Sequence, residues 1–389
     1  MKILVINSGS SSIKFQLLSM PKGNVIAKGL IERIGLEDSI INYNSLKEVT
    51  NIQNHEIGLK KIATLLLDKQ HGVIKSADEI IAVGHRVVHG GSVFTKTTLI
   101  TSDVKKAIDE LSFLAPLHNP ANLLGIEVAE KIFPHAKQVA VFDTAFHQTI
   151  PEVAHRYAIP NEFYDKHNVR LYGFHGTSHQ YVANKAIKFL KKDNTKLITI
   201  HLGNGCSMTA IKNGKSIDHS LGFGPMNGLI MGTRSGDIDQ SIVLYLAQKL
   251  NYSIDEISNL LQKKSGMLGI TGMSDLRDIE NAAANDDKMA NLALEMNAYR
   301  IKKYIGSYTA IMNGLDAIVF TAGIGENSDV IRNLVCNDLS YLGINLNQEK
   351  NIIRSKEIRA IQSENSKVKI VVIPTNEEFE IATQVFSLI

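Results

Sequence analysis

The sequence predicts an α/β protein built from two similar halves, and three observations carry that prediction. Ile3 to Leu18, ILVINSGSSSIKFQLL, reads as a strand, a tight polar turn and a second strand. Leu197 to Ile211, LITIHLGNGCSMTAI, repeats the design about half-way along the chain. Elsewhere apolar strands alternate with helical patterns, which is the mark of the α/β class.

At 389 residues the chain exceeds what one core normally organises, so two domains are expected. Hydrophobic content of 44% and charged content of 21% are those of an ordinary soluble globular chain. The net charge of +3 is small and no basic run forms a patch, which argues against nucleic acid or a membrane surface as partner. No apolar run reaches the length of a membrane span. Met1-Lys2 leads straight into a strand without an apolar signal segment, so a cytoplasmic, reduced setting is expected. Cys206 and Cys336 have neither metal-ligand nor redox spacing and are expected to be buried thiols.

In chain order, Val25 to Ile31 follows the first hairpin as a strand, and Glu32 to Asn54 reads as polar and irregular. Ile57 to Leu67 has helical spacing. Ile80 to Val88 reads as a buried strand running into His89-Gly90-Gly91. Ser102 is placed to cap a helix over Asp103 to Leu114, and Asn119-Pro120 opens a helix to Phe133. Val139 to Phe142 reads as a strand with Asp143 at its end. Pro151 and Pro160 mark a boundary, giving domains 1–150 and 151–375, with the C-terminal helix 376–389 joined to the first. Ser178 is placed to cap a helix over His179 to Lys191, and Gly222 to Gly236 is a glycine-rich loop. Ile238 to Leu250 and Ile254 to Gln262 read as helices, the second with a Ser253-x-x-Glu256 capping box. Asp286 to Met312 reads as one long helix, Ala317 to Thr321 and Val368 to Ile373 as strands, and Glu378 to Leu388 as the last helix.

Polar motifs fall at the C-terminal ends of these strands, where open α/β sheets place ligand sites. The turn Asn7-Ser8-Gly9-Ser10-Ser11-Ser12 lets backbone N–H groups approach an anion, and Lys14 adds a compact positive charge. Such a turn suits nucleotide phosphates, and Gly203-Asn204-Gly205 is its second copy. Arg86 lies inside an apolar strand, and burying a guanidinium is costly unless an anion meets it. That anion is either an internal Asp or Glu, or a bound carboxylate or phosphate matched to the planar fork. Asp143 is a strand-end carboxylate. His175 and His179 have a spacing that suits zinc, but Gly176 and the Ser178 cap put His175 in a loop and argue against it. That leaves His175 as an anion contact, and Arg234 is a second arginine in a flexible loop. Ala322 to Asn327, AGIGEN, lacks the third glycine of the dinucleotide fingerprint, and no P-loop is present. A nucleotide site here must therefore be of the two-lobed kind.

Together these motifs resemble the acetate kinase family over essentially all of residues 1–389. The carriers are NSGSSSIK (7–14), GHRVVHGG (84–91), FDTAFH (142–147), YGFHGTSH (172–179), HLGNG (201–205), GTRSGDID (232–239), FTAGIGEN (320–327) and TNEE (375–378). The resemblance implies the fold of the sugar kinase/Hsp70/actin superfamily, two duplicated RNase H-like domains with an active-site cleft between them. It implies reversible transfer of the γ-phosphoryl group of ATP to acetate, giving acetyl phosphate and ADP, and a homodimer. By resemblance, Asn7 and Glu377 hold Mg²⁺, or Mn²⁺ in its place. Lys14, Ser10, Ser12 and the turn of His201, Leu202, Gly203, Asn204 and Gly205 contact phosphates. Asp275, Leu276, Arg277, Gly323, Ile324, Gly325, Glu326 and Asn327 form the nucleoside side. Arg86 takes the substrate carboxylate, His175 and Arg234 stabilise the transition state, and Asp143 is catalytic. Val88, Leu117, Phe174 and Pro225 form the pocket for the methyl group. The chain departs from the family pattern at Pro225-Met226-Asn227-Gly228, where Pro-Leu-Glu-Gly is usual, and at Asp237-Ile238-Asp239-Gln240, where Asp-Ile-Asp-Pro is usual.

A carboxylate attacking a triphosphate brings anion to anion, so fixed positive charge and alignment should dominate catalysis. A small carboxylic acid has a pKa of about 4 and is ionised near neutrality. It needs no general base, and Asp143 is expected to orient His175, Arg86 or a metal-bound water instead. The nearest alternative is a propionate or butyrate kinase. A non-enzymatic ATP-driven clamp of the Hsp70 or actin type would have no use for Arg86 and would need a polypeptide-binding or filament surface, of which the sequence has no sign.

Overall fold

The computed structural model describes residues 1–9, 11–116 and 118–389. Two expected site residues, Ser10 and Leu117, lie outside them. The chain divides into two compact units, residues 1–148 with 376–389, and residues 149–375.

The first unit is built on a mixed sheet of β1 (Lys2–Ser8), β2 (Ser12–Ser19), β3 (Asn24–Glu32), β4 (Ser39–Tyr43), β5 (Leu46–Thr50), β6 (Ile80–Val87), β7 (Thr98–Leu99) and β8 (Lys137–Phe142). Their order is β5-β4-β3-β2-β1-β6-β8-β7. The central strand β1 is apolar throughout because both of its faces are covered. Leu4 and Ile6 pack with Ile13, Phe15 and Leu17 beneath the helices His55–Leu67 and Asn119–Ile132. Ile3 and Val5 pack with Ala82 and Val139 beneath the C-terminal helix Glu377–Leu388, which contributes Ile381, Ala382 and Val385. Ile381 and Val385 are fully buried, each worth about 1.5–3 kcal/mol. Gly84 on β6 makes room for that helix, since a Cβ there would sit 2.9 Å from both Ile381 Cγ2 and Val385 Cγ2. Asn376 starts the helix by accepting a bond from Phe379 N at 3.0 Å. Glu377, Glu378 and Glu380 crowd its first turn, where the helix dipole favours negative charge.

The second unit carries β9 (Lys196–Leu202), β10 (Cys206–Lys212), β11 (Lys215–His219), β12 (Ala317–Thr321), β13 (Arg359–Ala360) and β14 (Lys369–Val372), ordered β11-β10-β9-β12-β14-β13. The scheme matches β3-β2-β1-β6-β8-β7 strand for strand. In each unit the first strand pairs antiparallel with the second and parallel with the fourth in that scheme. The next pair is parallel and the far edge antiparallel. The fold is therefore α/β with a duplicated RNase H-like sheet, as expected.

Several elements differ from the sequence reading. The stretch read as irregular holds the β4–β5 hairpin, turned at Asn44 in the left-handed region (φ 49°). Its edge strand turns both Lys47 and apolar Val49 to solvent and half-buries Glu48, which masks the strand pattern. Thr101, not Ser102, caps the helix Ser102–Glu110. The helix Gly176–Leu190 begins before Ser178, with His175 at its N-cap position. Ala322–Asn327, for which the sequence reading names no element, forms a short helix. The Ser253/Glu256 capping box is present. Cys206 and Cys336 are buried free thiols.

Candidate functional site

In the first unit, the parallel strands β1, β6 and β8 bring Asn7, Arg86 and Asp143 to one sheet edge. Arg86 is tolerated in β6 because Asp143 meets it. Arg86 Nε donates to both carboxylate oxygens at 3.1 and 3.0 Å, and Nη2 donates to Oδ2 at 2.6 Å. Nη1 donates to Asn7 Oδ1 at 3.3 Å. The Asp143 side chain is 2% exposed and that of Arg86 21%. Burial opposes the guanidinium's charge, but Asp143, Glu377 and Glu378 outweigh it and hold its pKa above the ordinary value. Lys14 pairs with Glu378 at 2.6 Å. Burial pushes the Glu377 carboxyl up, Arg86 and Lys14 pull it down, and Asp143 and Glu378 add to the rise. Asp143, Glu377 and Glu378 thus face Arg86 and Lys14, leaving one carboxylate in excess.

Side chains that the sequence reading missed hold this edge in place. Asn122 accepts from Val88 N at 3.1 Å and donates to Ser8 O at 2.7 Å. Asn119, expected to cap its helix, instead brackets His89 through bonds of 3.0 Å to its N and O. Thr144 Oγ1 accepts from Gly90 N at 3.1 Å, and His55 Nε2 lies 2.6 Å from Gly9 O. Gly9 N closes the phosphate-type turn on Ser12 O at 2.8 Å. The signal for Asn119 and Asn122 was their three-residue spacing, which puts both on one helix face. Val88 is buried at the strand end.

In the second unit, the turn after β9 sits among three basic side chains. His175 adopts φ 74°, a left-handed conformation that costs a non-glycine residue about 1–2 kcal/mol. Its ring stacks on His201 at 4.6 Å, and His201 Nδ1 is bonded to Ser178 Oγ at 2.8 Å. A Cβ built on Gly205 would lie 3.6 Å from His175 Nε2 and 3.9 Å from Arg234 Nη1. Both side chains therefore flank the same turn, and a side chain at Gly205 would fill the space between them. Arg234 Nη1 donates to Pro225 O at 3.0 Å. Among the described residues, no carboxylate pairs with Arg234, and burial pulls its pKa below the ordinary value. Pro225 thus anchors Arg234 by its carbonyl, while Phe174 is buried beside His175. Gly232 N donates to Asn204 O at 3.1 Å. A Cβ on Gly232 would fall 2.2 Å from Asn204 Oδ1, so any larger residue there must displace the Asn204 side chain.

The same turn walls a cavity of about 700 Å³, within the range of small-molecule sites. Leu202, Gly203, Asn204, Asp275, Leu276 and Arg277 line it, together with Gly323, Ile324 and Asn327. Asp275 caps the helix Leu276–Ala284 and also takes Arg277 Nη2 at 2.6 Å. That bond holds its carboxyl at about 2. His201, Gly205, Gly325 and Glu326 are not in the wall among the described residues. Glu326 Oε1 accepts from Thr375 N at 3.0 Å instead. Met231, Met267, Glu280 and Arg354 are also part of the lining and were not singled out from the sequence.

Among the described residues, no group of three or more His, Cys, Asp or Glu side chains is placed to hold a metal, and no helix is long and apolar enough to cross a membrane. A duplicated α/β sheet, a strand carrying Arg86, a helix start and a loop carrying His175 and Arg234, and a nucleoside-sized cavity together define a kinase. Comparison with known proteins places it more closely. A model of the acetokinase family matches residues 2–383. The chain is 63% identical to the acetate kinase of Flavobacterium johnsoniae over 100% of both chains. Among solved structures it resembles an acetate kinase of Porphyromonas gingivalis, at 47% identity and TM-score 0.94 over 100% of this chain and 99% of that one. It also resembles a propionate kinase of Francisella tularensis, at 44% identity and TM-score 0.92 over 98% of each. The chain belongs to the acetokinase family.

Proposed function

We propose that this chain transfers the γ-phosphoryl group of ATP to acetate, reversibly, forming acetyl phosphate and ADP. The carrying observation is the pairing of a nucleoside-sized cavity with His175 and Arg234 on one glycine turn. A carboxylate oxygen attacks the γ-phosphorus, the bond to the bridging oxygen breaks, and ADP leaves with that electron pair. Arg86 takes the acetate carboxylate, with Val88, Phe174 and Pro225 around its methyl group. His175 and Arg234 face the charge on the transferring phosphoryl group, and Lys14, Ser12 and the 201–205 turn take phosphate oxygens. Asp143 orients Arg86, as its bidentate bond supports.

Asn7 and Glu377 would hold Mg²⁺. The fit rests on oxygen donors and on the excess carboxylate beside Arg86 and Lys14, which suit a hard cation that takes few protein ligands. When bound, the ion neutralises phosphate charge and aligns the γ-phosphoryl group. A cytoplasmic location accords with the two reduced thiols. We further propose a homodimer, supported by the helix Ser241–Lys249. It carries Ile242, Leu244 and Tyr245 yet buries none of its residues.

Hydroxylamine trapping of the acyl phosphate tests the activity: hydroxamate should form only when ATP, Mg²⁺ and acetate are all present. ATP hydrolysis without a carboxylate acceptor, and with no hydroxamate, would sink the reading. The propionate kinase neighbour favours a second reading, propionate as acceptor. Relative kcat/KM for acetate, propionate and butyrate separates these, each methylene being worth about 1–3 kcal/mol.

A further inference from the structure

Ser207 on β10 stands where two imidazoles meet. Its Oγ lies 2.9 Å from His175 Nδ1 and 2.8 Å from His179 Nε2. Behind it, His179 Nδ1 lies 2.7 Å from Thr199 Oγ1. The register explains the convergence. Ser207 pairs with His201 and Thr209 with Thr199 across β9 and β10, and the period of two puts all four side chains on one sheet face. The first turn of the helix Gly176–Leu190 delivers His179 to that face, with His175 at its N-cap. Thr199, Ser207 and His179 are fully buried. Polar groups are retained in such a place only when each has a partner, and here a continuous line of side chains provides them.

A serine hydroxyl has one proton to donate and lone pairs with which to accept. If Ser207 donates to His179 Nε2, it accepts from His175 Nδ1–H. If it donates to His175 Nδ1, it accepts from His179 Nε2–H, and neutral His175 then carries its proton on Nε2. That nitrogen is the one facing Gly205 and, beyond it, Arg234. Among the described residues, the titratable and charged groups near the His175 ring include His201, stacked on it, His179 through Ser207, and Arg234 across Gly205. His219 lies edge-on to His179 at 5.2 Å.

We propose that Ser207, backed by His179 and Thr199, is a positioning residue for phosphoryl transfer. It fixes the His175 ring plane and keeps an Nε2–H aimed at the charge that develops on the transferring group. This inference rests on the role given to His175 above. The test is steady-state kinetics of the full chain with Mg-ATP and acetate, comparing Ser207→Ala, Ser207→Thr and His175→Ala. Ser207→Ala is expected to lower kcat roughly tenfold to a hundredfold, the range carried by bonds that orient a working imidazole from behind. KM for ATP and acetate should stay within about twofold, the pattern of an interaction made only in the transition state. Ser207→Thr keeps the hydroxyl and is expected to recover most of kcat. In wild-type chain labelled with ¹⁵N-histidine, His175, assigned by its loss in His175→Ala, should show the Nε2–H tautomer when neutral. This reading needs no change at Ser207 and stands even if Ser207→Ala does not fold. A neutral His175 in the Nδ1–H form, or turnover of folded Ser207→Ala at the wild-type rate, overturns the positioning role. If His175→Ala itself turns over like wild type, the role of His175 falls first, and the inference with it.

Discussion

Replacing Asp143 by asparagine removes the charge from the best-defined pair in the first unit while keeping side-chain size. Three N–H···O bonds of 2.6 to 3.1 Å join Arg86 to this carboxylate. A carboxamide presents an N–H₂ where one oxygen stood, so at least one guanidinium N–H faces another donor. Breaking a buried ion pair from one side costs about 3–5 kcal/mol. Glu377 and Glu378 remain near Arg86, and its side chain is partly exposed, which puts the loss at the low end. For a unit of this size that is a fall in Tm of about 6–12 °C. If Asp143 fixes Arg86 for the reacting carboxylate, kcat should fall by about 10²–10³, equivalent to roughly 2.7–4 kcal/mol of transition-state stabilisation. The nucleotide cavity lies in the second unit, so KM for ATP should barely move. The assay is hydroxamate formation across acetate and ATP concentrations, paired with thermal melts. Wild-type kcat in a folded Asp143→Asn protein, whatever its Tm, would make Asp143 a purely structural residue and refute the argument.

Other expectations follow from single contacts. Gly84→Ala would push on Ile381 and Val385 from 2.9 Å. The cost should be about 1–3 kcal/mol of stability, with a loss of activity because the displaced helix carries Glu377 and Glu378, both checked by melts and kinetics. Gly232→Ala would collide with Asn204 Oδ1 at 2.2 Å. It is expected to raise KM for ATP several-fold while leaving thermal stability nearly intact, since the turn is local. Burial raises Asp218 from 3.8 to about 6. The folded state then binds the proton more tightly than the unfolded state, so stability is lost as pH rises from 4 to 6 and stays lost above. Asp218→Asn should therefore melt higher than wild type at pH 7, with the gap closing by pH 4.

The parts of the fold visible in the sequence were those that bury both faces of a strand. Ile3 to Ile6 is an unbroken apolar run and Leu197 to Leu202 one interrupted only by Thr199 and His201, because each strand is buried, and their following turns repeat because the sheet itself is repeated. The β4–β5 hairpin was missed because an edge strand open to solvent carries Lys47 and Glu48, which read as loop residues. Arg86 and Asp143 were each noticed, and Asp143 orienting Arg86 was one of three options; the sequence could not choose among them, since 57 positions separate the two and nothing local reports a tertiary partner. Ser207 was passed over for the same reason: its partners come from a helix start far back in the chain. Asn119 misled because asparagine before proline is a strong capping signal, and here tertiary contact with His89 overrode it.

The helix Glu377–Leu388 also bears on how the chain is made. A ribosome delivers β1 first, yet the cover for Ile3 and Val5, and the acidic partners of Arg86 and Lys14, arrive only after all of residues 149–375 have been translated. The nascent first unit must wait with an apolar sheet face bare and its basic groups short of two counterions. A chain ending between residues 148 and 376 would lack the helix and leave that apolar face uncovered, an exposed patch of the kind that drives association.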